Sequence, residues 1–204
     1  MSSTTAHNER PRISACIIAF NEAGRIADCL ASLSFCDEVV VVDSHSTDAT
    51  VALAEAAGAR VLQRRFEGFR SQKDFAVQQA RHDWVLCLDA DERVSDALRA
   101  SIEQARDAGF REAHGYRFAR LSNYFGRFLR HGNAYPDRVL RLFDRRRGGW
   151  RGKREVHEAA SVEGQVGTLR GDLIHYPYRS LQQQLAKTEK YARMMAEHEF
   201  ARGK

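Results

Sequence analysis

The stretch "VLCLDADERV", residues 85–94, joins an apolar run directly to three acidic side chains. Four consecutive apolar residues at its start are typical of a strand that is covered on both faces of a parallel sheet. Asp89, Asp91 and Glu92 then follow within four positions, and carboxylates this close repel one another unless a cation lies among them. The stretch therefore predicts a buried strand whose carboxyl end holds a cation together with these acidic groups.

Further apolar runs recur through the first half of the chain. "ISACIIAF" (13–20), "EVVVVD" (38–43) and "ARVLQ" (59–63) precede the run "WVLCLD" (84–89). Segments with helical signals separate them, such as "STDATVALAEAAG" (46–58), which offers a polar N-cap and a C-terminal glycine. This alternation of strand and helix predicts an α/β fold with a doubly wound, mostly parallel sheet.

The second half of the chain has a different pattern. "HGYRFARL" (114–121) and "RVLRLFD" (138–144) alternate polar and apolar residues, which predicts strands with one face exposed to solvent. A final helix is predicted to begin near Ser180, because apolar residues then recur at helical spacing.

Charge divides the chain in the same way. Residues 1–105 carry 11 Lys and Arg against 16 Asp and Glu, whereas residues 106–204 carry 21 against 11. The basic half indicates an anionic partner such as a phosphorylated acceptor or a membrane surface. The sequence contains no apolar run of membrane-spanning length and no signal-peptide core near its N-terminus, so a cytoplasmic protein is expected.

Acidic side chains cluster at the predicted carboxyl ends of three strands. "AFNE" (19–22), "VDSHSTD" (42–48) and "LDADE" (88–92) all fall at such ends. Ligands of open α/β sheets bind outside the carboxyl ends of the strands. An anionic nucleotide diphosphate could bind there if Mg²⁺ or Mn²⁺ bridged its phosphates to the carboxylates. Asp48 and Glu92 are interpreted as acids at helix entries instead.

Three functions are weighed. The first, a metal-dependent sugar transferase, is what the family resemblance given below implies, and the second is a metal-dependent nucleotidyltransferase. The second is disfavoured because no glycine-rich, basic loop follows the first strand to hold a triphosphate. The third, a non-catalytic nucleic-acid or membrane-surface binding module, would use the basic half alone and leaves the strand-end carboxylates unexplained.

The order of the motifs resembles a known family. "CIIAFNEAGRIADCLASL", "EVVVVDSHSTDATVALAEAAGA", "GFRSQKDFAVQQA" and "DWVLCLDADERV", which contains a DxD motif, together resemble the family 2 glycosyltransferases with the GT-A fold. "GYRFARLSNYFGRFLRHGNAYPDRVLRLFDRR", "VHE" and "HYPYRSL" are similar to the glucosyltransferases of lipopolysaccharide core synthesis. His45 departs from the family pattern, which commonly has glycine at this position.

The resemblance implies roles for particular residues. Six would bind the nucleotide-sugar donor, namely Phe20, Asn21, Glu22, Asp43, Lys73 and Asp89. Asp91 would ligate Mg²⁺ or Mn²⁺, and either Asp137 or Glu158 would be the catalytic base, with Asp137 preferred. His175 is interpreted as a structural histidine.

The resemblance also implies a reaction and an organisation of the chain. The enzyme would transfer a hexose, such as glucose from UDP-glucose, with inversion onto an anionic lipid-linked saccharide such as lipopolysaccharide core. It would contact the cytoplasmic face of the inner membrane peripherally and would bind no nucleic acid. Residues 1–11 would form a disordered lead, 12–110 the nucleotide-sugar-binding half and 111–204 the acceptor-side half of one integrated domain.

Overall fold

A computed structural model describes residues 10–150, 159–178 and 180–201 of the chain. Nine of the eleven residues of the expected N-terminal lead therefore lie outside the described part. The first half contains β1 (Ile13–Ala19), α1 (Ile26–Ala31), β2 (Glu38–Asp43), α2 (Thr50–Ala56), β3 (Arg60–Gln63), α3 (Phe69–Gln79) and β4 (Trp84–Asp89). The remainder contains β5 (Glu92–Val94), α4 (Asp96–Asp107), β6 (Gly115–Tyr124), β7 (Arg127–Phe128), a 3₁₀ turn (Gly132–Ala134), β8 (Asp137–Asp144), β9 (Gly148–Gly149), β10 (Ser161–Val162), β11 (Val166–His175) and α5 (Leu181–Ala201).

The main sheet has the strand order β3-β2-β1-β4-β8-β6-β11-β5. The first four strands are parallel, with Cys16 of β1 opposite Val40 of β2 and Cys87 of β4. β8 runs antiparallel to both β4 and β6, and β11 is parallel to β6. Consequently β1, β2, β4, β6 and β11 all end at the same edge of the sheet, which we call the carboxyl edge.

Helices cover both faces of the sheet. On one face, α1, α2 and α4 pack on side chains such as Ile17 and Leu86 in one buried apolar cluster. On the other face, α3 and Trp150 pack on Val85 and Cys87 in a second cluster. The predicted α/β class with a doubly wound, mostly parallel sheet is confirmed, because continuous apolar strands need a cover on each side. None of the helices in the described part of the chain is both long and apolar enough to span a bilayer.

One expectation about the second half is wrong. The alternating pattern of β8 predicted a strand with one solvent-exposed face, but Leu140 to Asp144 are all buried. The reason is that both faces of β8 are covered, because Leu142 packs in the first apolar cluster while Leu140 and Phe143 pack in the second. Arg141 and Asp144, which a half-exposed strand would present to water, are instead buried and ion-paired.

Glu92 also differs from its expected place. It begins the short strand β5, which pairs antiparallel with β11, and its side chain is completely buried. The acid at the entry to α4 is instead Asp96. It follows the N-cap Ser95, and the Ser95 hydroxyl accepts a hydrogen bond from the Leu98 amide at 3.2 Å.

Candidate active site

Two loops at the carboxyl edge hold each other in place. Asp43, at the end of β2, is buried and accepts hydrogen bonds from the Ser46 amide at 2.8 Å and from the Ser46 hydroxyl. The Ser46 hydroxyl accepts in turn from the Asn21 amide at 2.8 Å, and the Asn21 side-chain carbonyl accepts from the Thr47 amide at 2.8 Å. Asn21 and His45 have φ angles of 53° and 61°. His45 thus occupies the left-handed region that glycine adopts most easily, which accounts physically for glycine at this position in the family pattern.

The start of α2 belongs to the same network. The Thr50 hydroxyl accepts from the Glu22 amide at 2.8 Å, and the Asp48 carboxylate accepts from the Thr50 amide at 3.0 Å and the Ala23 amide at 3.1 Å. Asp48 therefore binds backbone amides at the entry to α2, as expected of a helix-entry acid, although the N-cap position itself is Ala49. The ring of Phe20 lies at the end of β1 and is largely exposed. The structure thus gathers Phe20, Asn21, Glu22 and Asp43 at one part of the edge.

Basic side chains lie among the carboxylates at the end of β4. Lys73 Nζ lies 3.0 Å from one carboxylate oxygen of Asp89, and Arg141 Nη2 lies 3.1 Å from the other. The same Arg141 nitrogen lies 3.1 Å from Glu92 Oε1, and the other oxygen of Glu92 accepts from the Asp89 amide at 2.9 Å. The cation that the sequence required is therefore supplied for Asp89 and Glu92 by the protein itself.

This arrangement fixes the ionisation of the Asp89 carboxylate. Burial alone would raise its pKa, but the charges of Lys73 and Arg141 and their hydrogen bonds outweigh burial and hold the pKa of Asp89 well below its usual value. Burial likewise would lower the pKa of Arg141, whereas Glu92 and Asp89 raise it above its ordinary value. Asp89 and Arg141 therefore both remain charged at neutral pH.

Trp150 supports both cations from one side. Lys73 Nζ lies 4.7 Å and Arg141 Cζ lies 5.3 Å from the centroid of the Trp150 ring. Cations at this distance from an indole face are attracted by its quadrupole. The buried tryptophan therefore positions the two basic groups that hold Asp89.

Asp91 has a different environment from Asp89. Its carboxylate lies 3.6 Å from His175 Nε2 and 3.8 Å from Arg25 Nη1, which is too far for a hydrogen bond to either. The other ring nitrogen of His175 is held by the Ser122 hydroxyl at 3.1 Å. His175, interpreted from sequence as structural, thus aims one nitrogen at Asp91.

These two side chains fit a divalent cation bound together with a ligand. No group of three or more His, Cys, Asp and Glu side chains suited to a metal occurs among residues 10–150, 159–178 and 180–201. Mg²⁺ does not need such a group, because it is commonly held by one or two carboxylates plus substrate phosphates and water. Of the two donors, the carboxylate is the type that suits Mg²⁺ and Mn²⁺, and neutral imidazole is a common ligand of metal ions in proteins.

The two candidate bases differ in what the structure describes. Asp137 begins β8 at the carboxyl edge, and its carboxylate accepts from Arg120 Nη2 at 2.6 Å and Arg120 Nε at 2.9 Å. Arg120 also approaches Glu92 at 3.5 Å, so Asp137 is joined to the buried group through one side chain. Glu158 lies outside the described residues.

Sequence reasoning missed most of the basic residues of the site. Arg25, Arg120, Arg141 and His175 come from four separate elements, and nothing in their local sequence distinguishes them from other basic residues. The usable signal was the unbalanced acidic cluster at residues 89–92, which required cations without showing which ones. By contrast, the basic run Arg145 to Arg147 lies at the opposite edge, where Arg146 pairs with Asp144 and Asp83.

Comparison with known proteins identifies the family of this chain. A family model described as Glycosyl transferase family 2 matches residues 14–160, which is most of the chain. The chain is a family 2 glycosyltransferase. This membership confirms the predicted enzyme class and, with the mixed, mostly parallel sheet, the GT-A type of α/β fold. The nucleotidyltransferase and the non-catalytic module are thereby set aside.

Individual relatives of this family 2 glycosyltransferase agree with the assignment. It is 36% identical over 198 residues to the lipopolysaccharide core biosynthesis glycosyltransferase LpsC of Rhizobium meliloti, covering 94% of this chain and 73% of that protein. It is 30% identical over 203 residues to an uncharacterized glycosyltransferase of Rickettsia typhi, covering 95% of this chain and 70% of that protein.

Solved structures resemble a smaller part of the chain. S. aureus TarS 1-349 aligns with a TM-score of 0.49 and 23% identity over 59% of this chain and 38% of that chain. Glucosyl-3-phosphoglycerate synthase from Mycobacterium tuberculosis, solved with Mn²⁺, UDP-glucose and phosphoglyceric acid, aligns with a TM-score of 0.45 and 25% identity. That alignment covers 57% of this chain and 45% of that one, so the chain spans less than half of either solved chain.

Proposed function

We propose that this family 2 glycosyltransferase is a metal-dependent, inverting hexosyltransferase that moves glucose from UDP-glucose to an anionic lipid-linked saccharide such as lipopolysaccharide core. The observation that carries the proposal is the contrast between two neighbouring carboxylates. Asp89 is neutralised by Lys73 and Arg141, whereas Asp91 lies beyond hydrogen-bond distance of His175 and Arg25. Such a pair provides one fixed acceptor for the donor and one ligand for a cation.

The donor would bind along the carboxyl edge. The exposed ring of Phe20 offers a surface for the uracil base, and Asn21 and Glu22 lie beside it for the ribose. Asp89 remains ionised and partly exposed, so it can accept hydrogen bonds from donor hydroxyl groups. Each oxygen of Asp43 accepts one hydrogen bond from Ser46 and keeps a second lone pair. The carboxylate is buried, however, so a contact with the base or ribose requires the loop at Ser46 to move.

The metal would be held by Asp91 together with His175. When bound there, Mg²⁺ or Mn²⁺ would supply positive charge to offset the charge that develops on the leaving diphosphate. Arg25, which lies 3.8 Å from Asp91, adds a positive charge on the same side. Lys73 keeps Asp89 from repelling the phosphates, because its charge offsets that carboxylate at 3.0 Å.

The acceptor hydroxyl would be activated by Asp137. The carboxylate takes the proton of the hydroxyl, the acceptor oxygen forms a bond to the anomeric carbon, and the bond from that carbon to the diphosphate oxygen breaks. Attack opposite the leaving group inverts the anomeric centre. The ion pair with Arg120 orients Asp137 towards the edge, and Glu158 is the alternative base.

The charge of the chain supports an anionic acceptor. Residues 106–204 carry an excess of ten basic groups, while the excess of acidic groups lies in residues 1–105. An acceptor with phosphate or carboxylate groups is attracted to such a surface. The name of the relative LpsC agrees with a lipopolysaccharide acceptor. We place the enzyme in the cytoplasm, peripherally on the inner membrane, with no nucleic-acid partner.

A thermal-shift screen of sugar nucleotides with and without Mn²⁺ tests this function. A bound donor stabilises the folded state by RT ln(1 + [L]/Kd), about 2.7 kcal/mol at a hundredfold excess over Kd. UDP-glucose should raise the melting temperature more than GDP-mannose or UDP alone, and the rise should require Mn²⁺. If no sugar nucleotide changes the melting temperature while RNA or DNA binds tightly in a filter assay, the proposal is wrong.

A further inference from the structure

The tip of the hairpin between β6 and β7 exposes a dense group of apolar side chains. This hairpin tip, residues 125–130 with the sequence "FGRFLR", is exposed at every position. Phe125, Phe128 and Leu129 are 51%, 41% and 37% exposed. Single exposed apolar residues are normal on a protein surface, but three within five positions indicate a contact surface.

The turn itself does not explain Phe125. Phe125 and Gly126 have φ angles of 51° and 86°, so both central residues of the two-residue turn are left-handed, as in a type I′ turn. Asn or Gly is preferred at the first of these positions, because a bulky side chain is strained there. Hydrogen bonds from the Gly126 amide to Asn123 at 2.9 Å and from the Leu129 amide to Ser122 at 3.0 Å hold the hairpin. The turn conformation therefore does not favour Phe125, so its aromatic side chain serves a contact outside the turn.

The charge of the hairpin points to the kind of partner. Residues 121–136 contain Arg127 and Arg130 and no acidic residue. The guanidinium of Arg130 lies 5.8 Å from the centroid of the Phe128 ring, so charge and aromatic surface are adjacent. Segments that lie in the headgroup region of anionic membranes have this composition, in which phenylalanine and leucine alternate with arginine.

The hairpin tip lies on the side of the molecule where the acceptor would enter. β6 runs in the same direction as β4, since both are antiparallel to β8, so the tip extends from the carboxyl edge, where Asp91 also lies. The ring of Tyr124 lies 5.4 Å from that of Tyr178, just before α5. α5 then exposes Leu181 and Leu185 (58% and 61%) one helical turn apart.

We infer that the hairpin tip docks the enzyme onto the surface of an anionic lipid bilayer. Phe125, Phe128 and Leu129 enter the boundary between headgroups and acyl chains, while Arg127 and Arg130 remain at the lipid phosphates. The inference deepens the proposed function, on which it rests for the lipid-linked nature of the acceptor. It assigns the membrane contact to one surface that orients the carboxyl edge towards the bilayer.

Vesicle co-sedimentation with matched variants tests the assignment. The apolar variant combines Phe125→Asn, Phe128→Thr and Leu129→Thr, in which asparagine suits the left-handed turn and threonine suits a strand. The charge variant combines Arg127→Gln and Arg130→Gln. The controls are Leu53→Gln on α2 and the pair Arg111→Gln and Arg147→Gln, which are exposed arginines at the opposite edge. Melting temperatures of all variants show whether the fold is retained.

The wild type should bind vesicles of phosphatidylcholine mixed with phosphatidylglycerol, and less so vesicles of phosphatidylcholine alone. The apolar variant should bind at least about tenfold more weakly. The charge variant should lose about fivefold for each arginine, an effect that added salt reduces. Both controls should bind like the wild type.

Three results would overturn the inference. One is a wild type that does not bind anionic vesicles, and another is a folded apolar variant that binds them as the wild type does. The third is a concentration-dependent dimer that the apolar variant abolishes, which would make the tip an interface between copies. UDP release from UDP-glucose with a detergent-dispersed acceptor, in the absence of vesicles, separates the two proposals. Failure of the proposed function abolishes this release in the wild type, whereas failure of the docking surface leaves it intact.

Discussion

The guanidinium of Arg141 lies 3.1 Å from the carboxylate of Glu92, and these side chains are 5% and 0% exposed. A buried pair of this kind contributes little compared with apolar residues of the same volume, because both charges lose their hydration. Removal of one partner is costly, however, because the charge of the other partner stays buried. The charged group that supports the site at the end of β4 is therefore sensitive to a change in either residue.

The substitution Arg141→Met should lower the free energy of unfolding by about 3–5 kcal/mol, since the buried Glu92 would lose its nearer cation and keep the more distant Arg120 at 3.5 Å. Urea denaturation measures this change. Arg138→Met, at an exposed position of the same strand, should stay within about 0.5 kcal/mol of the wild type. The double variant Arg141→Met with Glu92→Gln should recover part of the loss. Equal stabilities of the Arg141 and Arg138 variants would contradict the structural role of the pair.

Asp91→Asn should abolish sugar transfer and leave the fold intact, because the amide is a poor ligand for Mg²⁺ or Mn²⁺ while the ion pairs of Asp89 persist. UDP release under limiting Mn²⁺ measures the transfer, and circular dichroism monitors the fold. Asp96→Asn, an exposed acid at the start of α4, is the control and should retain activity. Near-normal transfer by the Asp91 variant would exclude the metal-ligand role.

Asp137→Ala should reduce kcat by about 10²–10⁴ with donor affinity unchanged, since the residue acts on the proton of the acceptor. Glu158→Ala, made in parallel, identifies the base if it instead shows the larger loss. UDP release with a saturating acceptor gives kcat, and the thermal shift with UDP-glucose gives donor binding. Small, equal losses in both variants would mean that neither residue is the base.

The stability that Asp89 contributes should depend on pH in a defined direction. Its pKa is lowered in the folded protein from the ordinary value of 3.8, despite burial, by Lys73 and Arg141. Above that pH the carboxylate is charged in both states and its ion pairs stabilise the fold. Below it, the unfolded chain takes up the proton first, so the contribution is lost.

The difference in melting temperature between the wild type and Asp89→Asn should therefore be large near pH 7 and shrink as the pH falls below about 4. Thermal denaturation across this range measures it. A difference that stays constant from pH 7 to acid conditions would show that the charge of Asp89 has no part in stability.

Local patterns were sufficient to predict the first four strands. β1, β2 and β4 are continuous apolar runs, and such runs predict burial on both faces. Gly58, with a φ of 82°, follows the end of α2 as predicted. The strand β5 was missed, because its three residues pair with β11 far along the chain. Pairing of this kind leaves almost no local signal.

The candidate site also contains residues that local patterns predict and residues that they do not. The carboxylates Asp89 and Asp91 could be placed from their position after β4, and the structure gathers them with Asp43 and Asn21 at one edge. Arg141 could not be placed, because "RVLRLFD" alternates like a half-exposed strand. Its guanidinium is buried because Trp150 packs against it and because it pairs with Asp89 and Glu92. The groups that pack on a strand's faces, and not the strand's own pattern, decide which face meets solvent.

The pairing of β4 with β8, with Val85 opposite Phe143, has a consequence for how this enzyme can be divided or recombined. A fragment that stopped after α4 would leave β4, an apolar strand, with an open edge, and open edges of this kind recruit other chains. The acidic and basic halves are separate in sequence but cannot be exchanged as modules. Chimaeras that aim at a new acceptor preference should therefore keep β4, β8 and β6 from one parent and graft only the loops at the carboxyl edge.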